Sequence, residues 1–221
     1  MATITALNNQ KHNAERLNVY LDGEFAFGLD WAVAGSLSVG QILSPNEVEA
    51  LQQQDDIEKA KKSALHLIGR RPRSVVEIDR NLRKKAFDDR VIEQVIDRLT
   101  AVDLLNDAAF AGYWVEQRDT FRPRSKLALR QELQQKGLSR VVIDTALKEV
   151  DEESAARRVA EKQATRWGHL SEEEFRVKLG RFLQRRGFPY DVIRTTTNDI
   201  WQVVSEEEQF DYDRPDNEGD K

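Results

Sequence analysis

The chain has 221 residues, 39% of them apolar and 33% charged, a mixture too apolar and too evenly signed for a wholly disordered chain. It contains no cysteine, which excludes a disulfide framework, a zinc–thiolate centre and a cysteine nucleophile. The net charge of −5 is unevenly spread: residues 205–221 hold eight acids and two bases, or −6, leaving the body at +1.

The opening Met-Ala-Thr-Ile-Thr-Ala-Leu-Asn-Asn-Gln lacks a basic region followed by an apolar core, so no secretory signal is expected. No apolar run reaches the roughly 18 residues of a membrane helix, and the composition favours a soluble protein of a reducing cytoplasm. Leu17-Asn18-Val19-Tyr20-Leu21 and Glu24-Phe25-Ala26-Phe27 flank Asp22-Gly23. That dipeptide suits a type I′ turn, whose two central residues need positive φ, and predicts a hairpin. Thr3 to Leu7 supplies a third strand. Short helices are expected over 30–37, with Trp31 where the helix meets the hairpin, and over 45–53. Ser44 with Glu47 forms a capping box for the second of these, and Pro45 takes its first position.

From about residue 55 the pattern is helical and repetitive. Arg-Pro-Arg-Ser occurs at 71–74 and again at 122–125, an offset of 51. The same offset carries Leu82 to Leu133, Lys85 to Lys136, Phe87 to Leu138 and Val91-Ile92 to Val142-Ile143. A further step of 50 carries Lys136-Gly137-Leu138 to Arg186-Gly187-Phe188 and Val142-Ile143 to Val192-Ile193. Each copy predicts three helices. The first covers 56–68, 107–118 or 154–167. The second opens at Ser74 or Ser125 and stops near 85–86, 136–137 or 186–187. The third starts at Asp88, Ser139 or Pro189. No copy is expected to bury its apolar stripe well by itself. The third is the least regular, lacking Pro-Arg-Ser and carrying Thr197 where the others have Ile96 and Leu147.

The fold read from these patterns is mainly α. Three tandem three-helix repeats form an extended curved array, preceded by a small N-terminal β-hairpin or three-strand unit with short helices. The corresponding segments are 1–54, 55–105, 106–152, 153–204 and an acidic, disordered tail at 205–221.

Signs of catalysis are missing. There is no phosphate-binding glycine loop, and His12, His66 and His169 lie far apart without metal-ligand spacing. The pairs Asp55-Asp56 and Asp88-Asp89, with Glu172 to Glu174, are read as helix starts explained by the helix dipole. No enzyme activity, cofactor or metal is expected. Bases are the positive signal: 59–85 holds ten against two acids, 118–140 seven against two, and 176–194 six against one. At matching places in each repeat they suit an extended polyanion or an acidic protein groove. The helix–turn–helix step is also compatible with DNA reading, but the third helix of copy two offers mainly Arg140, Asp144, Thr145 and Lys148 to base edges.

Several words of this sequence resemble the RecX family, bacterial regulators of the RecA recombinase. They are Asn18 to Leu29, Arg71-Pro72-Arg73-Ser74, Leu82-Arg83-Lys84-Lys85, Leu104-Leu105-Asn106-Asp107 with Phe110-Ala111, and Glu132-Leu133 with Lys136-Gly137. They run in family order over about 1–204. Ala86, where glycine is usual, and the irregular third repeat depart from the pattern. The resemblance implies a non-catalytic regulator, acting as a monomer with no membrane contact. It implies binding in the groove of the RecA–single-stranded-DNA filament, with inhibition of ATP hydrolysis, strand exchange and filament growth. Contact with bare DNA would be weak. On this reading Arg71, Arg73, Arg122, Arg124 and Lys126 make the first contacts. Lys84, Lys85, Arg118, Lys136, Arg140, Arg181, Arg185 and Arg186 support them. The alternative is a stand-alone helix-turn-helix-like DNA-binding protein. Phe110 and Trp114, four residues apart, are read as core.

Overall fold

The computed structural model describes residues 1–11 and 13–212, the last six of them by backbone alone. His12 and residues 213–221 therefore lie outside the described residues. Strands β1 (Ala2–Gln10), β2 (Asn13–Leu21), β3 (Glu24–Asp30) and β4 (Ile42–Leu43) make one antiparallel sheet in the order β3-β2-β1-β4. The hairpin turn is as expected, with φ of 50° at Asp22 and 93° at Gly23. Alternation along the strands turns Ile4, Val19, Phe27 and Leu29 to one face, where they join Leu43, Val33 and Ala34 in a buried cluster.

Helix α1 covers only Trp31–Ala34, shorter than the expected 30–37, because Gly35 follows and the Leu37 N–H closes a turn on Ala34. Trp31 stands where the helix meets the hairpin, directly after β3, but its side chain is 57% exposed. It is the first residue of a single turn capped by Asp30, and Val33 and Ala34 are the residues of that turn that enter the core.

Helix α2 (Pro45–Ile68) replaces the two separate helices expected over 45–53 and 56–68. The Ser44–Glu47 capping box opens it as predicted, and no glycine or proline interrupts the stretch before Gly69. Asp55-Asp56 is thus a mid-helix pair and not a helix start, and the boundary at 54/55 falls inside α2. This helix packs on β3 and α1 through one half and on α3 (Val75–Lys84) and α4 (Asp89–Ala101) through the other.

The chain divides into two units, 1–106 and 107–221. The second contains α5 (Asp107–Phe121), α6 (Lys126–Gln135), α7 (Arg140–Leu147), α8 (Glu152–Trp167), α9 (Glu172–Gln184) and α10 (Tyr190–Tyr212). The repeat is visible in the backbone. The second helix of each copy ends at a positive-φ residue: Ala86 at 60°, Gly137 at 85° and Gly187 at 87°. Ser74, Asp88, Ser125 and Ser139 each accept a first-turn N–H, satisfying an otherwise unpaired donor. Contrary to expectation, each repeat carries its own buried cluster. Ile57, Ile78, Leu82, Ile92 and Leu99 centre the first, Phe110, Leu129, Leu133 and Ile143 the second, and Val159, Phe175, Leu179, Leu183 and Ile200 the third.

Copy three departs in a definable way. Helix α9 starts one turn early, at a Ser171–Glu174 capping box. The position corresponding to Ser125 is Phe175, fully buried with its ring centroid 5.2 Å from that of Trp201. Thr197 is buried in the leucine's place, its hydroxyl without a hydrogen-bond partner among the described residues. The acidic segment from 205 begins within α10, whose backbone continues to Tyr212.

Candidate cationic interface

The repeated word Arg-Pro-Arg-Ser has a structural task in the second unit. Ser125 is fully buried; its hydroxyl accepts from the Ala128 N–H at 3.0 Å, and its own N–H donates to the Arg186 carbonyl at 3.2 Å. The Arg186 Nη1 donates back to the Pro123 carbonyl at 3.1 Å. Gly187 closes the seat. A Cβ added there would stand 2.7 Å from Ser125 Oγ and 3.0 Å from Ala128 Cβ. Pro123-Arg124-Ser125 is therefore the surface on which the α9–α10 turn rests.

Several cations expected to face a partner are engaged within the chain. Arg71 sends two N–H groups to Glu77, at 2.9 and 3.1 Å, and a third contact to the Pro72 carbonyl. Arg73 Nε donates to the Leu67 carbonyl at 3.4 Å, and Lys85 Nζ to Ser63 Oγ at 2.6 Å. Glu132 gathers the Trp114 indole N–H and Arg118 Nε, both at 2.7 Å. It also has Arg124 Nε at 3.1 Å, an ion pair whose angle does not make a hydrogen bond. Arg118 and Lys136 both lie over the Trp114 ring, 4.6 and 4.7 Å from its centroid. Trp114 is thus half-buried as the hub of a polar cluster, stacked on the buried Phe110. Arg71, Arg118 and Arg124, expected as first or supporting contacts, are thus ion-paired within the chain. A segment-by-segment charge count balances Glu77 and Glu132 against many bases, whereas the fold gives each of those acids to particular arginines.

Other predicted contacts are open. Lys84, Arg122, Arg181 and Arg185 are exposed. Arg140 is 90% exposed and lies 3.5 Å from Asp144. The Arg130 hydrogen bond holds the Asp144 carboxyl below the usual carboxylate range. Lys126 is half-buried, its backbone N–H taken by Glu152. Arg186 is the informative case: half-buried, its guanidinium 4.6 Å from the centroid of the Phe182 ring. Burial, then the charges of Arg122 and Arg124, push it below the ordinary arginine value. The like charges around it are relieved by an added anion.

Three residues that belong to this region were not singled out by sequence reasoning: Phe121, Arg158 and Lys162. The exposed aromatic directly before Arg122 was the available signal for the first; nothing local marks the other two, which α8 brings in from elsewhere in the chain. Helix α7 presents little to base edges. Asp144 is tied to Arg130, and the Thr145 hydroxyl donates to the Val141 carbonyl. Among the described residues no helix is long and apolar enough to cross a membrane.

Four family models match consecutive stretches of the sequence. "Regulatory protein RecX N-terminal domain" matches 2–44, and the first, second and third three-helix domains of RecX match 60–99, 106–147 and 151–196. The chain belongs to the RecX family. Among its relatives, the regulatory protein RecX of Clostridium tetani is 30% identical over 204 residues, covering 89% of this chain and 94% of that one. Regulatory protein RecX of Bacillus subtilis is 32% identical over 205 residues, covering 90% and 78%. A crystal structure of regulatory protein RecX superposes with a TM-score of 0.69 at 25% identity, covering 90% of this chain and all of that one. The RecX structure from Lactobacillus salivarius gives 0.58 at 26% identity, over 66% and 97%. The small N-terminal sheet and the three three-helix repeats are thus shared RecX architecture. The chain is accordingly one of a family of regulatory proteins.

Proposed function

We propose that this chain binds along the groove of the RecA–single-stranded-DNA filament and lowers its ATP hydrolysis, strand exchange and growth, without chemistry of its own. The observation that supports this most is the set of uncompensated guanidinium groups on the third repeat and its approach. Among the described residues, Arg122, Arg181 and Arg185 have no carboxylate partner, and Arg186 is held against Phe182 with only a carbonyl to donate to. Such charges draw the phosphates and acidic side chains that a nucleoprotein filament offers along its length. A ligand that contacts neighbouring filament subunits shifts their conformational equilibrium by its differential affinity for the two arrangements, and needs no other device.

The test is charge reversal at positions that hold nothing together inside the chain. Arg122→Glu, Arg181→Glu and Arg185→Glu combined should move inhibition of DNA-dependent ATP hydrolysis to roughly tenfold or more higher protein concentration. The circular dichroism spectrum and melting temperature should stay unchanged. Arg124 is left in place because its loss would also disturb Glu132. Unchanged inhibition by the folded triple variant removes the assignment of these residues.

A further inference from the structure

Where α5 ends against α8 and α9, the second unit has a cavity of about 250 Å³ lined by Phe121, Phe182, Lys162, Arg186 and the Arg158–Asp119 ion pair. Phe121 is 76% exposed although it is a large aromatic residue, and the half-buried Phe182 ring carries Arg186 over it. The single acid lining this wall, Asp119, is already taken by Arg158. Lys162 is exposed, without a carboxylate partner among the described residues. Aromatic rings beside uncompensated cations, with space between, match a planar base joined to a phosphate. An acidic peptide would use the cations and leave Phe121 in water.

We propose that this cavity holds one nucleotide of a single strand, the base on Phe121 and the phosphate between Lys162 and Arg186. Stacking needs no particular base, because every base offers a π-face, so the site is sequence-tolerant. This deepens the filament reading and rests on it for the presence of single-stranded DNA.

The experiment is fluorescence anisotropy of a labelled oligothymidylate with the full chain at low salt, without recombinase. Phe121→Ala should weaken binding about tenfold, and Phe121→Trp should retain it. Binding to a duplex of equal length should be unaffected by Phe121→Ala, because its bases stack on one another. Lys162→Gln should reduce the slope of log affinity against log salt by about one phosphate. Equal losses on duplex and single strand, or no loss at all, overturn the proposal. So does displacement by poly-glutamate as effective as by unlabelled oligonucleotide. Displacement by thymidine monophosphate at equal nucleotide concentration would assign the cavity to free nucleotides and overturn the strand. Since recombinase is absent, failure here leaves ATPase inhibition standing, and failure of inhibition leaves this binding result standing.

Discussion

Asp55→Ala should destabilise the first unit by about 3 kcal/mol, read by hydrogen exchange of amides in β1, β2, β3 and α2. Its side chain is only 3% exposed, in the middle of α2. It receives Arg16 Nη2 at 2.9 Å, Lys59 Nζ at 2.8 Å and the Asp30 backbone N–H at 2.6 Å. Asp30 in turn binds Lys62 at 2.7 Å, so one network ties the sheet to the helix that begins repeat 1. Removing the carboxylate leaves the Asp30 N–H without its acceptor and a mostly buried Arg16 with only the Gly28 carbonyl, a cost larger than the net worth of the pair. The partial exposure of Lys59 keeps the figure at the low end of the range for a buried pair.

The same site sets a pH dependence. Burial alone would raise the Asp55 carboxyl, but Arg16, Lys59 and the Asp30 N–H outweigh it and hold it below the ordinary aspartate value. A depressed carboxyl contributes fully above its unfolded value, near 4, and the contribution fades as pH falls through the lower folded value. Asp55→Asn should therefore flatten the acid limb of the stability curve of this unit below about pH 4. An acid limb identical to the parent's would show that Asp55 does not carry it.

Gly187→Val should cost about 3–4 kcal/mol in urea unfolding of the second unit, from two separable sources. One is its φ of +87°, which a β-branched residue tolerates poorly. The other is the collision of any Cβ with Ser125 and Ala128. Gly23 has a similar φ of +93° but nothing within 4 Å, so Gly23→Ala isolates the backbone cost, about 1 kcal/mol. Gly187→Ala should exceed it clearly. In a Ser125→Ala background part of the excess should vanish, a coupling that a double-mutant cycle reads directly. Strict additivity would mean that the Ser125 contact at the α9–α10 turn is not energetically significant.

What could be read from the amino-acid order was what depends on near neighbours. Asp22-Gly23 announced its turn, Ser44-Pro45 with Glu47 its helix start, and the 51- and 50-residue steps the positions of Ala86, Gly137 and Gly187. What depends on distant partners was not legible. Asp55-Asp56 has the local look of a helix start, yet Asp55 is placed by Arg16, 39 residues away. The Pro-Arg-Ser word looked like an outward-facing basic motif. In the second unit it is the seat for a turn about 60 residues later, as the contact of Pro123 with Arg186 shows. Copy three looked degenerate because its second helix gains a turn and buries Phe175 where Ser125 stands in copy two. Segment charge, finally, located the cationic regions but could not tell Arg118 and Arg124, which Glu132 holds, from Arg122 and Arg185, which remain open.

On the proposed function, the chain acts on the assembled filament and not by sequestering DNA. Titrating it into recombinase hydrolysing ATP on single-stranded DNA, with and without a large excess of additional bare single strand, tests this most directly. Hydrolysis should fall towards the DNA-free rate, and the added strand should restore little of it. Hydrolysis that never falls, or that recovers in proportion to the added strand, would contradict it.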